Sequence, residues 1–383
     1  MRARTVSRCV LLGCAALLAF GQTSCGGPTR GTGPVQPSKA VTAEDLGGMD
    51  ALVRAAQAEG ELNAIALPPQ WANGVGLAQG FEKKYGIRVN LQDPYDSSKE
   101  ELDAVRSRKG RPTAPDVLDL AAQHARGAAR EGLLAPYRVA GYGDIPKNQK
   151  DAKSRWYNSY GGYVAIGCDA ARVAVCPVSF NDLLKPEYKD KVSLTGIDPT
   201  SAGVAFASVF AASLANHGSF DDVQPGIDYF ARLNALGNLR HVNPNPPEEK
   251  IKSGETPIII EWDFLSLAHT AQFSGTGVKW KVSIPFDGSF SEYYAQAINK
   301  DAPHPAAARL WEEYVFSAEG QNLRLVDYAR PVLIDTMRKN GTLDEAAAAL
   351  LPTVEGTPVF PSPAQVTKAQ QTVDEGWAKS VSG

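Results

Sequence analysis

Apolar positions at Met49, Leu52, Val53 and Ala56 recur at helical spacing, and Gly60 ends the run. Residues 61–67 read as a strand, followed by a loop, Pro68-Pro69-Gln70-Trp71-Ala72-Asn73. A helix carrying Leu77 and Phe81 stops near Tyr85-Gly86, and residues 87–91 form a second strand. A strand, helix and strand in this order predict a βαβ unit and the start of a parallel sheet. A helix from residue 98 to 108, a third strand at 116–120 and an Ala-rich helix to Arg130 extend it. The pattern then changes at 155–168. Trp156, Tyr157 and Tyr160 stand among polar residues, and the short apolar run 163–166 has glycine on both sides. That run reads as a buried strand, and the whole segment as the place where the chain crosses to a second α/β unit.

The second unit begins with Cys168 and Cys176, a capped helix and turn at 178–188, and a strand at 191–197. A long apolar helix to Leu214 follows, then one bearing Ile227, Phe230, Leu233 and Leu236. A short helix at 248–253, an apolar strand at 257–260 and another strand at 280–285 complete it. Residues 293–298 (Tyr-Tyr-Ala-Gln-Ala-Ile) read as the return crossover, with helices after Pro303 and Ser317, at 344–350 and at 364–377. No internal repeat is visible. The expected class is α/β, with a ligand cleft where strand ends face one another, since ligands of open sheets sit beyond the C-terminal strand ends and at domain interfaces.

Candidate ligand-contacting residues follow from that placement. Trp71 and Tyr95 occupy loops after the first two strands, and Tyr160 lies in the crossover. Ser97, Thr200 and Ser201 stand where a strand end meets a helix start, where free N–H groups can hold an anion. Residues 98–101 (Ser-Lys-Glu-Glu) read as a capping box for the first of these helices. Trp262 between Glu261 and Asp263 is the best candidate for recognising a cation through an aromatic face, and Tyr294 lies on the return crossover.

Composition narrows the class. Apolar content of 43% and charged content of 21% are those of a folded globular protein, and a formal charge of −3 gives no sign of nucleic-acid binding. Three arginines precede an apolar run from Cys9 to Phe20, an export-signal pattern over 1–24. Twelve helical residues reach about 18 Å, short of a bilayer core. Cys25 after Thr23-Ser24 resembles the lipidated cysteine of a bacterial lipoprotein, although Gln22 stands where Leu is usual; without lipidation the protein is secreted. The Gly/Pro/Ser/Thr-rich residues that follow read as a flexible tether, 25–44. Cys168 and Cys176, the remaining pair, are expected to form a disulfide in an exported chain.

Taken in order, several segments are familiar. Trp71-Ala72-Asn73, Phe81-Glu82-Lys83-Lys84-Tyr85-Gly86-Ile87, Pro115-Asp116-Val117 and Gly132-Leu133-Leu134 resemble the first lobe of the extracellular solute-binding proteins of bacterial ABC importers. Asn181-Asp182-Leu183-Leu184-Lys185-Pro186-Glu187-Tyr188, Ser253-Gly254-Glu255, the segment 302–308 and Ser317-Ala318-Glu319-Gly320-Gln321 continue the likeness. The branch it resembles is the one whose members bind ferric ion, polyamines or 2-aminoethylphosphonate. The resemblance implies a two-lobed, type II-like periplasmic-binding-protein fold joined by two crossover strands. Lobe 1 would comprise 45–162 plus 293–383 with the C-terminal helices, and lobe 2 would comprise 163–292. It also implies a monomer without cofactor that captures a small solute, delivers it to an ABC permease, and touches the membrane only through its lipid.

Asp93, Asp96, Glu261 and Asp263 beside Trp71, Tyr95 and Trp262 favour an amine-bearing solute, of polyamine or aminophosphonate type; the helix starts favour an anionic group as well. A ferric-binding member of the same fold is an alternative carried by the adjacent Tyr293-Tyr294, though neighbours on a strand point to opposite faces. A glycoside hydrolase-like enzyme using paired carboxylates is the alternative from another class. The chain holds no nucleophile elbow, no His-x-x-x-His pair and no Gly-rich phosphate loop.

Overall fold

The computed structural model describes residues 35–69, 71–242, 247–354 and 360–381. The export signal expected at 1–24 and the lipid site at Cys25 lie outside these residues. Part of the stretch read as a tether is docked: Ala40 and Ala43 are buried, and Arg309 donates from Nε to the Ala40 carbonyl over 2.8 Å.

Helix α1 (Met49–Glu59) turns Leu52 and Ala56 inward and stops at Gly60, whose φ of 78° suits a residue without Cβ. Strand β1 (Glu61–Ile65), helix α2 (Gly74–Tyr85), strand β2 (Arg88–Gln92), helix α3 (Ser98–Ser107), strand β3 (Val117–Ala121) and helix α4 (Ala122–Glu131) follow, then the short β4 (Leu134–Ala135). As the βαβ pattern requires, β1 pairs in parallel with both β2 and β3. The crossover becomes strand β5 (Tyr157–Asp169), 13 residues long and buried throughout.

Beyond it come β6 (Val192–Leu194), α5 (Gly203–Ala215), α6 (Gln224–Ala235), α7 (Pro247–Ser253), β7 (Ile258–Trp262), α8 (Asp263–Gln272), β8 (Trp280–Ser283) and β9 (Ser291–Asn299). The capped helix and turn expected at 178–188 are instead two 3₁₀ turns, Asp182–Leu184 and Pro186–Tyr188. Pro186 explains the break, because a proline lacks the N–H that would continue an α-helix. The chain ends with α9 (Pro305–Val315), α10 (Ala318–Val326), β10 (Arg330–Pro331), α11 (Ile334–Asn340), α12 (Glu345–Ala348) and α13 (Pro363–Ser380).

The main strand order is β2-β1-β3-β9-β5-β7-β6. Strand β5 belongs to both halves of it. Its first half pairs antiparallel with β9, from Tyr157–Gln296 to Tyr163–Ser291; its second half pairs with β7, from Val164–Trp262 to Cys168–Ile258. Strand β9 continues into the first half by pairing with β3. The architecture is thus two α/β lobes joined through β5 and β9. In the first, α1, α2 and α9 cover one face of the sheet with Leu52, Phe81 and Trp311, while α3 and α4 cover the other with Leu102 and Ala125. In the second, α5 is apolar all round and buried on nearly every side, as such helices must be. The C-terminal helix α13, expected with lobe 1, packs on α6, with Trp377 at 5.3 Å from the Phe230 ring.

Cys168 and Cys176 are disulfide-bonded, closing a loop of sequence separation 8. On the loop-entropy relation this constraint stabilises the fold by about 2–3 kcal/mol. Reduction, or Cys176→Ser with Cys168→Ser, is expected to lower unfolding free energy by that amount in a urea titration, with the cleft residues unaffected.

Candidate functional site

A cavity of about 400 Å³ opens between the lobes, at the ends of β1, β2, β3, β6 and β7 and the starts of α3 and α5. Its aromatic wall comes from both crossovers and the first βα loop. Trp71 and Tyr294 line the cavity with their rings 5.4 Å apart and edge-to-face. Behind them, Tyr160 stacks on Tyr294 at 5.7 Å, and Trp262 donates from Nε1 to the Tyr294 hydroxyl over 3.3 Å. Tyr160 and Trp262 are fully buried. The structure therefore gathers Trp71, Tyr160, Trp262 and Tyr294 into one cluster, but only Trp71 and Tyr294 line the cavity.

A buried polar chain fixes that wall. Trp71 donates from Nε1 to the Tyr160 hydroxyl (2.7 Å), and Tyr160 donates onward to Asp119 Oδ2 (2.9 Å). Arg324, wholly buried on α10, donates to the same oxygen (3.3 Å) and to the Ala72 carbonyl (2.9 Å), with its guanidinium 4.1 Å above the Tyr160 ring. Burial pushes the Asp119 pKa above its ordinary value, against the pull of Arg324 and of the side chains of Tyr160 and Gln296. Tyr160 and Arg324 both serve Oδ2; Asp119 Oδ1 is buried without a hydrogen bond of normal geometry, as is the Gln296 amide nitrogen, and Asp119 lines the cavity. Glu261 repeats the arrangement in the other lobe. It lines the same cavity, is 2% exposed, and leaves Oε1 unpartnered.

The two helix starts differ. Ser97 caps α3 in a capping box with Glu100, one residue earlier than the Ser98-to-Glu101 box expected. Ser98 is diverted because its hydroxyl accepts from the Ala121 N–H (2.9 Å), and Glu101 because it accepts from the Asp119 N–H (3.1 Å). Burial, with the neighbouring Asp119 charge, drives the Glu101 pKa well up. The start of α3 is thus closed by its own side chains. The start of α5 has no side-chain cap. Ser201 and Thr195 line the cavity beside it, and the Thr195 hydroxyl is buried without a partner.

The other expected residues fall outside this arrangement or at its rim. Tyr95, 59% exposed, lies on the cavity mouth. Thr200 does not line the cavity; its hydroxyl donates to Asp198 Oδ1 (2.8 Å). Asp263 is buried against the joint between β5 and α8, accepting from the N–H groups of Tyr163 (2.9 Å) and Phe264 (3.0 Å). Burial raises its pKa to about 6, with Arg330 opposing. Tyr293 points away from Tyr294, its ring 5.6 Å from Phe360. Among the described residues no group of three or more His, Cys, Asp or Glu is placed to hold a metal ion, and no helix is long and apolar enough to cross a membrane. Asp119, Thr195, Arg324 and His269 were missed by the sequence reading.

At Gly203 the lobes approach closely beside the cavity. A Cβ on Gly203, at the start of α5, would stand 2.9 Å from Ala121 Cβ and 3.1 Å from the Tyr294 hydroxyl. Gly203→Val is expected to wedge the lobes apart and weaken solute binding by about 1–3 kcal/mol, roughly 5- to 150-fold, the usual cost of overpacking. A titration gives the affinity, and an unaltered melting temperature of the empty protein separates the wedge from misfolding.

The family model described as bacterial extracellular solute-binding protein matches residues 113–353. No curated protein sequence matches the chain. Among solved structures, the periplasmic binding protein AfuA from Actinobacillus pleuropneumoniae, with exogenous fructose-6-phosphate bound, superposes with a TM-score of 0.64 at 19% identity, covering 84% of this chain and 99% of that one. AgtB from A. tumefaciens R10 in complex with agropinic acid gives 0.63 at 16% identity over 85% and 99%. Iron-bound HitA from Pseudomonas aeruginosa gives 0.56 at 17% identity over 82% and 97%.

Proposed function

Since the chain belongs to the bacterial extracellular solute-binding proteins, we propose that its cleft captures an amine-bearing organic solute, of the polyamine or aminophosphonate class, for delivery to an ABC permease. The observation that carries this reading is the pair of unpartnered, buried carboxylate oxygens, Asp119 Oδ1 and Glu261 Oε1, on one cavity. A buried acceptor left without a donor is costly unless a guest supplies one, and an ammonium supplies three N–H donors together with the charge. The uncapped start of α5 with the Thr195 hydroxyl suits an anionic group on the same solute. A zwitterion uses both ends; a plain polyamine uses only the acidic one.

In this reading lobe 1 comprises 45–162 and 293–354, lobe 2 comprises 163–292 with α13 packed on it, and solute stabilises their closed arrangement, a hinge-type population shift. Trp71, Tyr294, Tyr95, Ser97 and Ser201 meet the solute, while Tyr160, Trp262, Asp263 and Thr200 hold the wall and helix starts in place. The solute leaves chemically unchanged. The protein acts as a monomer held to the outer face of the cell membrane by a lipid on Cys25.

A thermal-shift screen over polyamines, aminophosphonates, amino acids, sugar phosphates and ferric salts tests this. A ligand at 100 times its dissociation constant stabilises by about 2.7 kcal/mol. Amine-bearing compounds are expected to raise the melting temperature; a response confined to ferric salts or to amine-free sugar phosphates would overturn the reading.

A further inference from the structure

Inside the cleft, Glu261 is not alone. His269 of α8 lines the same cavity and, like Glu261, is 2% exposed. Its Nε2 lies 3.5 Å from Glu261 Oε2, within ion-pair reach but without hydrogen-bond geometry; its Nδ1 makes no hydrogen bond of normal geometry, and the Gln272 side chain also acts on the ring. The ring is held in place by aromatics, stacked on Phe273 at 5.8 Å and edge-on to Trp280 of β8 at 5.9 Å. The charges acting on it are acidic: Glu261 of β7 and Glu248 of α7, and Asp327 after α10. Lys252 of α7 lies over the Phe273 ring rather than the imidazole, and Lys99, Glu101 and Asp119 line other parts of the cavity.

We propose that His269 is a resident counter-cation, neutralising Glu261 in the empty cleft and giving up its proton to solvent when the solute's ammonium takes its place. This rests on the amine-bearing reading of the solute. Two cations beside one carboxylate in a water-poor cavity repel each other, so the pair of ammonium and imidazolium is the disfavoured state. Imidazole is a weaker base than an alkylamine by about four pKa units, so the imidazolium is the one that yields its proton. In the empty cleft burial is the largest effect and works against a charged ring, but Glu261, Gln272 and Glu248 together outweigh it and lift the His269 pKa above its ordinary value. The sign follows. Above the empty-state pKa the ring is already neutral and affinity is flat with pH. Below it, each bound solute must expel a proton, so affinity falls about tenfold per pH unit until the bound-state pKa is reached. His269 therefore also acts as a selectivity device: a neutral solute has no charge with which to replace it.

The test is titration calorimetry with 2-aminoethylphosphonate at pH 6, in buffers of different ionisation enthalpy, on the unsubstituted protein and on His269→Gln. The ligand's own titration is common to both proteins and cancels. The expected result is one-to-one binding to both, with up to one more proton released by the unsubstituted protein, and a pH-dependence of affinity that His269→Gln flattens. Equal proton counts in the two proteins would overturn the role of His269 while leaving the amine-binding reading intact. No binding to either at any pH would overturn both. Proton NMR of His269 in the unsubstituted protein gives an answer without a variant: the resonance is expected to move from the charged to the neutral position on adding ligand at pH 6, and an unmoved resonance in a saturated sample contradicts the proposal.

Discussion

Asp119→Asn is expected to weaken binding of an amine-bearing solute by about 2–5 kcal/mol, roughly 30- to 5,000-fold, the range found when one partner of a buried charge contact is removed. Asparagine keeps the shape and can still accept from Tyr160, but it offers the ammonium a dipole in place of a charge. The loss should appear in the dissociation rate rather than the association rate, because the contact is made inside the closed cavity. A deaminated analogue should bind the two proteins almost equally. That comparison separates loss of charge from loss of shape.

Arg324→Leu is expected to destabilise the fold by about 3–5 kcal/mol, since it strands the buried Asp119 carboxylate. The two side chains are 0% and 4% exposed, so water cannot take over the role of the guanidinium. The same substitution frees the Ala72 carbonyl and removes the cation above Tyr160, so the aromatic wall should loosen as well. In a urea titration the double variant Asp119→Asn, Arg324→Leu should recover part of the loss. A strictly additive double variant would show that the two residues do not share one interaction.

Most of the fold is legible in the sequence because it rests on local periodicity. The βαβ run of α1 to β3 follows apolar spacing and glycine stops, and both crossovers carry a composition unlike their surroundings. What the sequence reading missed depends on partners distant in sequence. Asp119 left one signal, a carboxylate interrupting the apolar run Val117-Leu118 and Leu120-Ala121; a charge in a buried strand must have a counterpart. Nothing local marks that counterpart as Arg324, 205 positions away. The expectation at 261–263 shows the limit of reading neighbours together. In a strand successive side chains alternate, so Glu261 lines the cavity while Trp262 packs behind Tyr294. The same alternation divides Tyr293 from Tyr294, which is why an adjacent tyrosine pair does not make a chelate here. The capping box moved by one residue for a related reason: Ser98 and Glu101 are claimed by the backbone of β3, a contact that only the folded sheet creates.

The most direct test of the account is a calorimetric comparison of 2-aminoethylphosphonate with ethylphosphonate, which lacks only the amine. The account predicts one-to-one binding of the first and at least 100-fold weaker binding of the second. Equal affinity for the pair, or no binding of the amine-bearing member, would contradict it.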